Sequence, residues 1–345
     1  MKKWMPIAML IMQFNLHAQD PHFSQFYASP IYLNPAFVGT VNEHRVIAHH
    51  RIQWPVLTNA YTTYSFTYDH YRPELKSGFG ILLNADKAGT AGLKSNMAAF
   101  IYSYKIQMPN KWVLTPAVSF GMGNRGLDYS KLVLGDQLEF GNNMAPSIDP
   151  AVSLINKKGF FDSGAGLLFY NKSTWIGASW WHINKPDISM LQTEERLPSK
   201  YTIHGGGKIQ FYGGPGNMEK LSYLTTSFVF NLQGPFTQMD MGVNYHVDPI
   251  LIGLWYRGIN VKENAAGNQS RDAIIFSAGL QFSSFSFQYS YDFTISELGS
   301  GSLGAHEVSL EYRFSLPTNP NKVRRKDKIL PCPSFIPTDY YKFRK

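Results

Sequence analysis

The 345-residue sequence has a single cysteine, Cys332, so no disulfide within the chain supports the fold. Charged residues make up only 16% of it, against about a quarter in an ordinary soluble domain. Beyond the amino terminus there is no run of about 18 apolar residues, which excludes helical membrane spans after the start. The ten histidines show no i, i+4 pairing on a helix and have no cysteine partner, so no metal site is expected. GMGNRG (Gly121–Gly126) matches a dinucleotide-binding pattern in letters only. It ends a strand pattern with no helical pattern after it, and crowded or kinked strand backbone accounts for its glycines. GGPG at 213–216 lacks the Gly-Lys-Ser/Thr of a phosphate loop, and no Gly-x-Ser-x-Gly is present. No cofactor is expected, and no residue can be nominated for catalysis.

Aromatic residues, at 15%, are abundant, and they are placed with a period of two. In FSFQYSYDF, Phe285, Phe287, Tyr289, Tyr291 and Phe293 alternate with Ser286, Gln288, Ser290 and Asp292. Only a pleated strand sends successive side chains to opposite faces. The same grammar recurs in four more stretches. Tyr64, Phe66 and Tyr68 alternate with Ser65, Thr67 and Asp69, and Met239, Met241, Val243 and Tyr245 with Gln238, Asp240, Gly242 and Asn244. Phe276, Ala278, Leu280 and Phe282 alternate with Ser277, Gly279 and Gln281, and Val308, Leu310, Tyr312 and Phe314 with Glu307, Ser309, Glu311 and Arg313. An aromatic outer face over a small polar inner one is the composition of a membrane barrel strand. On that reading Tyr289→Arg harms assembly, since charge facing lipid costs about 2–4 kcal/mol at the midplane, and Ser290→Arg on the lumen face is better tolerated.

Strand patterns fall near 44–53, 60–70, 77–86, 94–107, 111–125, 162–171, 174–184, 199–212, 221–232, 236–247, 250–259, 271–283, 284–294 and 304–315. These predict an all-β, antiparallel transmembrane barrel of about fourteen strands over 44–316. If the first strand leaves the periplasm, the long connections 126–161, 185–198 and 260–270 lie outside the cell. The short ones near 109–111, 171–173, 247–249 and 283–284 then lie inside, with 212–220 long for an inner turn. Both termini are then periplasmic.

MKKWMPIAMLIMQFNLHA reads as a signal peptide over 1–18: Lys2 and Lys3 precede an apolar core, and Ala18 precedes the cut. Residues 19–43 follow as a segment for the lumen or its periplasmic mouth, where Pro21, Pro30 and Pro35 argue against helix and central strand. The formal charge of +8 sits in the signal, which holds two of it, and in residues 317–345, which hold the other six; the body is neutral. Nucleic acid is not implied for an exported chain; a protein partner or polyanionic surface is. This basic, Pro-rich tail carries the candidate partner-binding residues Arg324, Arg325, Lys326, Phe335, Tyr340 and Tyr341, aromatic anchors set among charges. Alternation turns Arg257, Asp292, Glu307, Glu311 and Arg313 inward, as a structural pairing network or as the lining of a pore.

Four stretches then bear a resemblance. QDPHFSQFYASPIYLNPAFVGT from Gln19, followed near the end by LWYRG, SYDFTIS and GAHEVSLEYRF, resembles the PorP/SprF family of outer-membrane proteins. The residues that carry it are Gln19, Asp20, Pro21, Phe23, Ser24, Gln25, Pro30, Leu33 to Phe37 and Gly39, with Trp255, Tyr256, Arg257, Tyr291, Asp292, Gly304, His306, Glu307 and Tyr312. The resemblance implies a non-catalytic component of the type IX secretion and gliding machinery in the outer membrane. Its implied partners are a periplasmic secretion-ring or peptidoglycan-binding protein, or the carboxy-terminal domain of a secreted adhesin or other cargo. The competing reading from the residues alone is a transporter or porin for small or hydrophobic solutes.

Overall fold

A computed structural model describes residues 20–56, 60–89, 92–128, 157–190, 194–212, 221–258, 272–295, 303–315 and residue 332. Fifteen strands follow in chain order: β1 (His44–Gln53), β2 (Tyr61–Arg72), β3 (Ser77–Ala88), β4 (Leu93–Tyr104), β5 (Ile106–Met108), β6 (Trp112–Gly126), β7 (Lys158–Tyr170), β8 (Thr174–Trp181), β9 (Lys200–Tyr212), β10 (Leu221–Gln233), β11 (Phe236–Val247), β12 (Ile250–Arg257), β13 (Ala273–Gln281), β14 (Phe285–Thr294) and β15 (Ala305–Phe314). Each pairs antiparallel with its neighbours, β1 pairs with β15, and β4 pairs with β6, so fourteen strands close into a barrel. Closure satisfies every edge, which lipid demands of any spanning sheet. No helix among the described residues is long and apolar enough to cross a membrane.

The fifteenth strand, β5, has a local cause. Ser103 pairs with Ala117, and Ile106 with Leu114, in one continuous register. Between them the position opposite Tyr104 is Pro116, which has no N–H to give to the ladder. The Lys105 N–H donates instead to the Lys76 carbonyl at 2.8 Å. What the sequence presents as one strand over 94–107 is therefore broken in two.

The alternation expected of β14 is present: Phe285, Phe287, Tyr289 and Phe293 are exposed on the outer wall, and Ser286, Gln288, Ser290 and Asp292 are buried inward. Large apolar side chains cover the outer face on strand after strand, as a lipid-facing wall requires.

The lumen is filled by the chain's own amino-terminal segment, from Asp20 to Thr40. Phe23, Phe26, Tyr27, Ile31, Ala36, Phe37 and Val38 are all buried there. Contrary to the expectation from its prolines, the segment contains helical turns: α1 (Pro30–Leu33) and a 3-10 turn over Pro35–Phe37. Each begins at a proline, the position where the missing N–H has no helical partner to lose. The wall makes room with glycine. A Cβ on Gly166 of β7 would overlap the Asn34 side chain, and one on Gly177 of β8 would overlap His204.

The segment runs the length of the barrel. Asp20 meets His182 and Lys200, at the end where β8 finishes and β9 begins. Gly39 meets Asp69, near the opposite end, from which β1 then starts. Asp20 and the end of β15 thus lie at opposite mouths. Of the two places expected for the segment, the described residues occupy the lumen, from Asp20 at one mouth to Gly39 near the other. The wide gaps in sequence between β6 and β7, β8 and β9, and β12 and β13 fall at the Asp20 end, together with the short turns 89–92 and 234–235, while the turns 171–173, 248–249 and 282–284 are at the other.

Filling also changes the expectation for Ser290. Its hydroxyl accepts a hydrogen bond from the Gln25 side chain at 3.0 Å and is fully buried, so an arginine there has no aqueous lumen to enter. The expected outcome is that Tyr289→Arg and Ser290→Arg both fail to assemble, for different reasons, while Tyr289→Phe assembles normally. The folded, heat-modifiable band in gel electrophoresis, after refolding into lipid vesicles, reads all three.

Candidate functional site

The segment is tied to the wall by a buried cluster centred on Glu307 of β15. One carboxylate oxygen accepts from the Gln25 backbone N–H at 2.9 Å and lies 2.7 Å from His49 Nε2. The other accepts from the Ser24 backbone N–H at 2.8 Å and from Arg51 Nη1 at 2.9 Å. The Ser24 hydroxyl donates to Asp292 at 2.6 Å and accepts from Arg51 and Arg257. Both guanidinium groups also reach Asp292, at 2.9 Å each, and Arg257 further pairs with Asp240, which His22 contacts at 2.8 Å. Gln25 adds a second link: it donates to the Glu307 carbonyl and accepts from Ser309. The cluster therefore joins β1, β11, β12, β14 and β15 to three residues of the segment, His22, Ser24 and Gln25. Charges so placed need partners, since removing one member of a buried pair costs about 3–5 kcal/mol.

Three further anchors hold the rest of the segment. At one end, Asp20 contacts His182 at 2.9 Å, and His182 contacts Asp162 at 2.9 Å through its other ring nitrogen. Burial opposes the charge of His182, but the two carboxylates overcome it and raise its pKa to about 10. In the middle, the Asn34 amide donates to the carbonyls of Leu167 and Ala178 and lies 3.0 Å from His204 Nε2. At the other end, Asp69 accepts from the Gly39 N–H at 2.8 Å and pairs with Arg45, which also donates to the Phe37 carbonyl.

Of the five inward charges named from the alternation, Arg257, Asp292 and Glu307 come together in the main cluster. Glu311 and Arg313 bond each other instead, on the part of β15 that pairs with the start of β1. Both are buried, which suits structural pairing. Sequence reasoning missed Arg45, His49 and Arg51, and it placed Asp69 and Asp240 on the inner face without nominating them for the cluster. Ser24 and Gln25 were marked by the resemblance alone, with no role, and their bonds to Asp292 and Glu307 come from more than 200 positions away. No local pattern carries that information.

The tail residues Arg324, Arg325, Lys326, Phe335, Tyr340 and Tyr341 lie outside the described residues. Cys332 does not. Its N–H donates to the Thr40 carbonyl at 3.2 Å, and its thiol is buried, which pushes its pKa up. Lys105 is buried nearby, with its amine 3.9 Å from the centre of the Tyr71 ring. The chain thus returns to the mouth of the barrel at Cys332 and touches the last turn of the lumen segment. Among the described residues no group of three or more His, Cys, Asp or Glu is placed to hold a metal ion.

Glu307→Gln keeps the shape of the cluster but removes the charge facing Arg51 and His49. It is expected to lower the barrel's resistance to urea and to expose the Ser24–Gln25 bond to protease, with a loss of about 3 kcal/mol or more. Limited proteolysis across a urea series checks it. His182 gives a pH signature. Its folded pKa, about 10, lies above the ordinary 6.5, so its contribution is full below 6.5 and is lost as pH rises through 10. Protection of the amides around Asp20 in hydrogen exchange, compared with Asn34 as an internal reference, should fall across that window. His182→Gln should remove the fall.

The family model for the type IX secretion system membrane protein PorP/SprF matches residues 15–312. No curated protein matches. Among solved structures, a porin from Rhodopseudomonas blastica aligns at 10% identity and a TM-score of 0.32, covering 79% of this chain and 99% of that one. The KdgM porin aligns at 7% and 0.35, covering 78% and 99%. CdiB from Acinetobacter baumannii aligns at 6% and 0.44, covering 79% of this chain and 60% of that one. Likeness at this level carries nothing over to this chain. The family match spans the lumen segment and all of the barrel up to Tyr312, and the chain belongs to the PorP/SprF family of type IX secretion system membrane proteins.

Proposed function

We propose that the chain acts in the outer membrane as a plugged barrel that binds other components of type IX secretion, and that its work is binding rather than catalysis or solute passage. The observation that supports this most is the filled lumen. Asp20 to Thr40 occupy it from mouth to mouth, with charged anchors on each side of the middle. A diffusion pore needs a continuous aqueous path, and a buried segment held by ion pairs opposes one.

By the usual asymmetry of such barrels, the end with short turns faces the periplasm and the long connections face outward. The tail leaves β15 at the short-turn end, with eight basic residues against two acidic ones over 317–345. This suits a periplasmic ring or peptidoglycan-associated partner bearing acidic surface, the role that PorP-like resemblance implies. The outward connections suit the carboxy-terminal domain of an exported cargo, the role that SprF-like resemblance implies.

The test is co-purification from detergent-solubilised outer membranes with the full chain and with a form ending at Leu316. A periplasmic ring or peptidoglycan-binding protein retained only by the full chain supports docking through the tail. The same partner retained by both forms moves docking to the barrel. If neither form retains a partner and both conduct ions steadily in planar bilayers, the solute-transporter reading replaces this one.

A further inference from the structure

On the outer wall, β15, β1, β2 and β3 leave a shallow groove of about 390 Å³. The register sets its outward side chains in two rows. The first row is Leu310, Ala48, Phe66 and Leu83; the second, nearer the Asp20 end, is Val308, His50, Tyr64 and Ala85. Two alanines make the hollow. Ala48 lies between Leu310 and Phe66, and Ala85 lies beside Tyr64, so methyl groups stand where large side chains cover the wall around them. These outward side chains are apolar except for His50 and Tyr64.

A histidine is an unusual residue on a wall that faces lipid, because ionisable side chains at membrane depth are rare and as a rule have a partner. His50 stacks on Tyr64 with ring centroids 4.4 Å apart, which covers one face of the imidazole. Its Nδ1 is enclosed and closed to any ligand. Nε2 is different: it keeps accessible surface and makes no hydrogen bond to the described residues. The groove therefore has an apolar floor and an open imidazole nitrogen on the row nearer one mouth.

The surroundings decide the occupant. Exposed Phe287 and Tyr289 of β14 continue the wall beyond β15, and exposed Phe100 of β4 continues it beyond β3, so the groove is part of the surface that lipid covers. Two rows on one face span only about 7 Å along a strand. That width suits one hydrocarbon chain and not a helix about 10 Å across. The volume is ample, since a dry cavity of about 150 Å³ already holds a benzene ring. A lipid chain also brings an acceptor with it, in the carbonyl that joins it to its headgroup.

We infer that this groove is a binding site for one acyl chain of a membrane lipid, with the ester or amide carbonyl of that chain accepting a hydrogen bond from His50 Nε2. The chain lies across the seam of β1 and β15, and so covers from outside the closure that Glu307 holds from within. The assignment needs only the lipid-facing wall and is independent of what the barrel docks.

The experiment is native mass spectrometry of the purified full-length chain in dodecyl maltoside, with dimyristoyl phosphatidylethanolamine and its diether analogue as probes. One diester lipid should stay on the native barrel after the rest are shed, and the diether, which lacks the carbonyl, should bind about tenfold more weakly. His50→Phe keeps the stack on Tyr64 and should bind both lipids alike, at the level of the diether. Ala48→Trp fills the hollow and should retain no lipid, whereas Ala278→Trp, on the exposed face of β13, should retain one. The heat-modifiable band shows that each variant is folded, and the diester–diether comparison needs no variant. Absence of a retained lipid on the native chain, or equal retention by Ala48→Trp, overturns the site. Equal binding of diester and diether to the native chain overturns the carbonyl contact. A native dimer that Ala48→Trp splits would give the groove to a second copy of the chain and overturn the lipid. None of these outcomes alters the co-purification result.

Discussion

The structure depends on one buried carboxylate. Glu307 accepts two backbone N–H groups from the lumen segment, and it faces a histidine and an arginine from β1. It lies on β15, and β1 and β15 are the first and last strands, joined along ten residue pairs. A carboxylate with four contacts is bought out of water only if all four are present, so the segment, the first strand and the last strand are interdependent. Remove the segment and Glu307 keeps only its β1 partners, in a cavity no longer filled. The barrel's closure and its plug are thus one construction.

Much of the barrel was legible in the residues. Period-two alternation of Phe and Tyr with Ser, Gln and Asp marks a strand, and its recurrence marks a wall with lipid on one side. All fourteen wall strands were found in this way, with ends within a few residues. The split at Lys105 was missed, although its cause, Pro116, is printed in the partner strand; a strand read alone does not show which residue stands opposite. The lumen segment was placed in the barrel's neighbourhood but not in its direction. Prolines in a sequence count against helix, yet Pro30 and Pro35 open short helical turns because a first-turn residue has no N–H bond to lose.

The site was legible only in part, and the reason is distance along the chain. Arg257, Asp292 and Glu307 stood out as charges on an otherwise small and polar face. Arg51 and His49 share that face but sit in HRVIAHHRIQ, where the outward positions do not alternate as cleanly, so their direction was not recognised. Ser24 and Gln25 are uncharged and lie in irregular backbone. Their importance comes from exposing two successive N–H groups to one carboxylate, which is a property of conformation and not of composition. Small residues on the inner face, such as Ser290 and Ser309, have the same explanation. They are small because a polypeptide, not water, occupies the space beside them.

The threading of the lumen segment bears on how the molecule can be built. The segment passes from one mouth to the other before the chain turns into β1, and a closed sheet of fourteen strands surrounds it. A finished barrel would have to admit Phe23, Phe26, Tyr27 and Tyr32 end-on through a space they already fill. The order of events is therefore constrained: the sheet must wrap around the segment while the edges of β1 and β15 are still apart, and the last edge to zip is the one that Glu307 then locks from within. For the same reason this seam is a poor doorway. Opening the ladder between the first and last strands would also break the bonds that Glu307 makes to the segment.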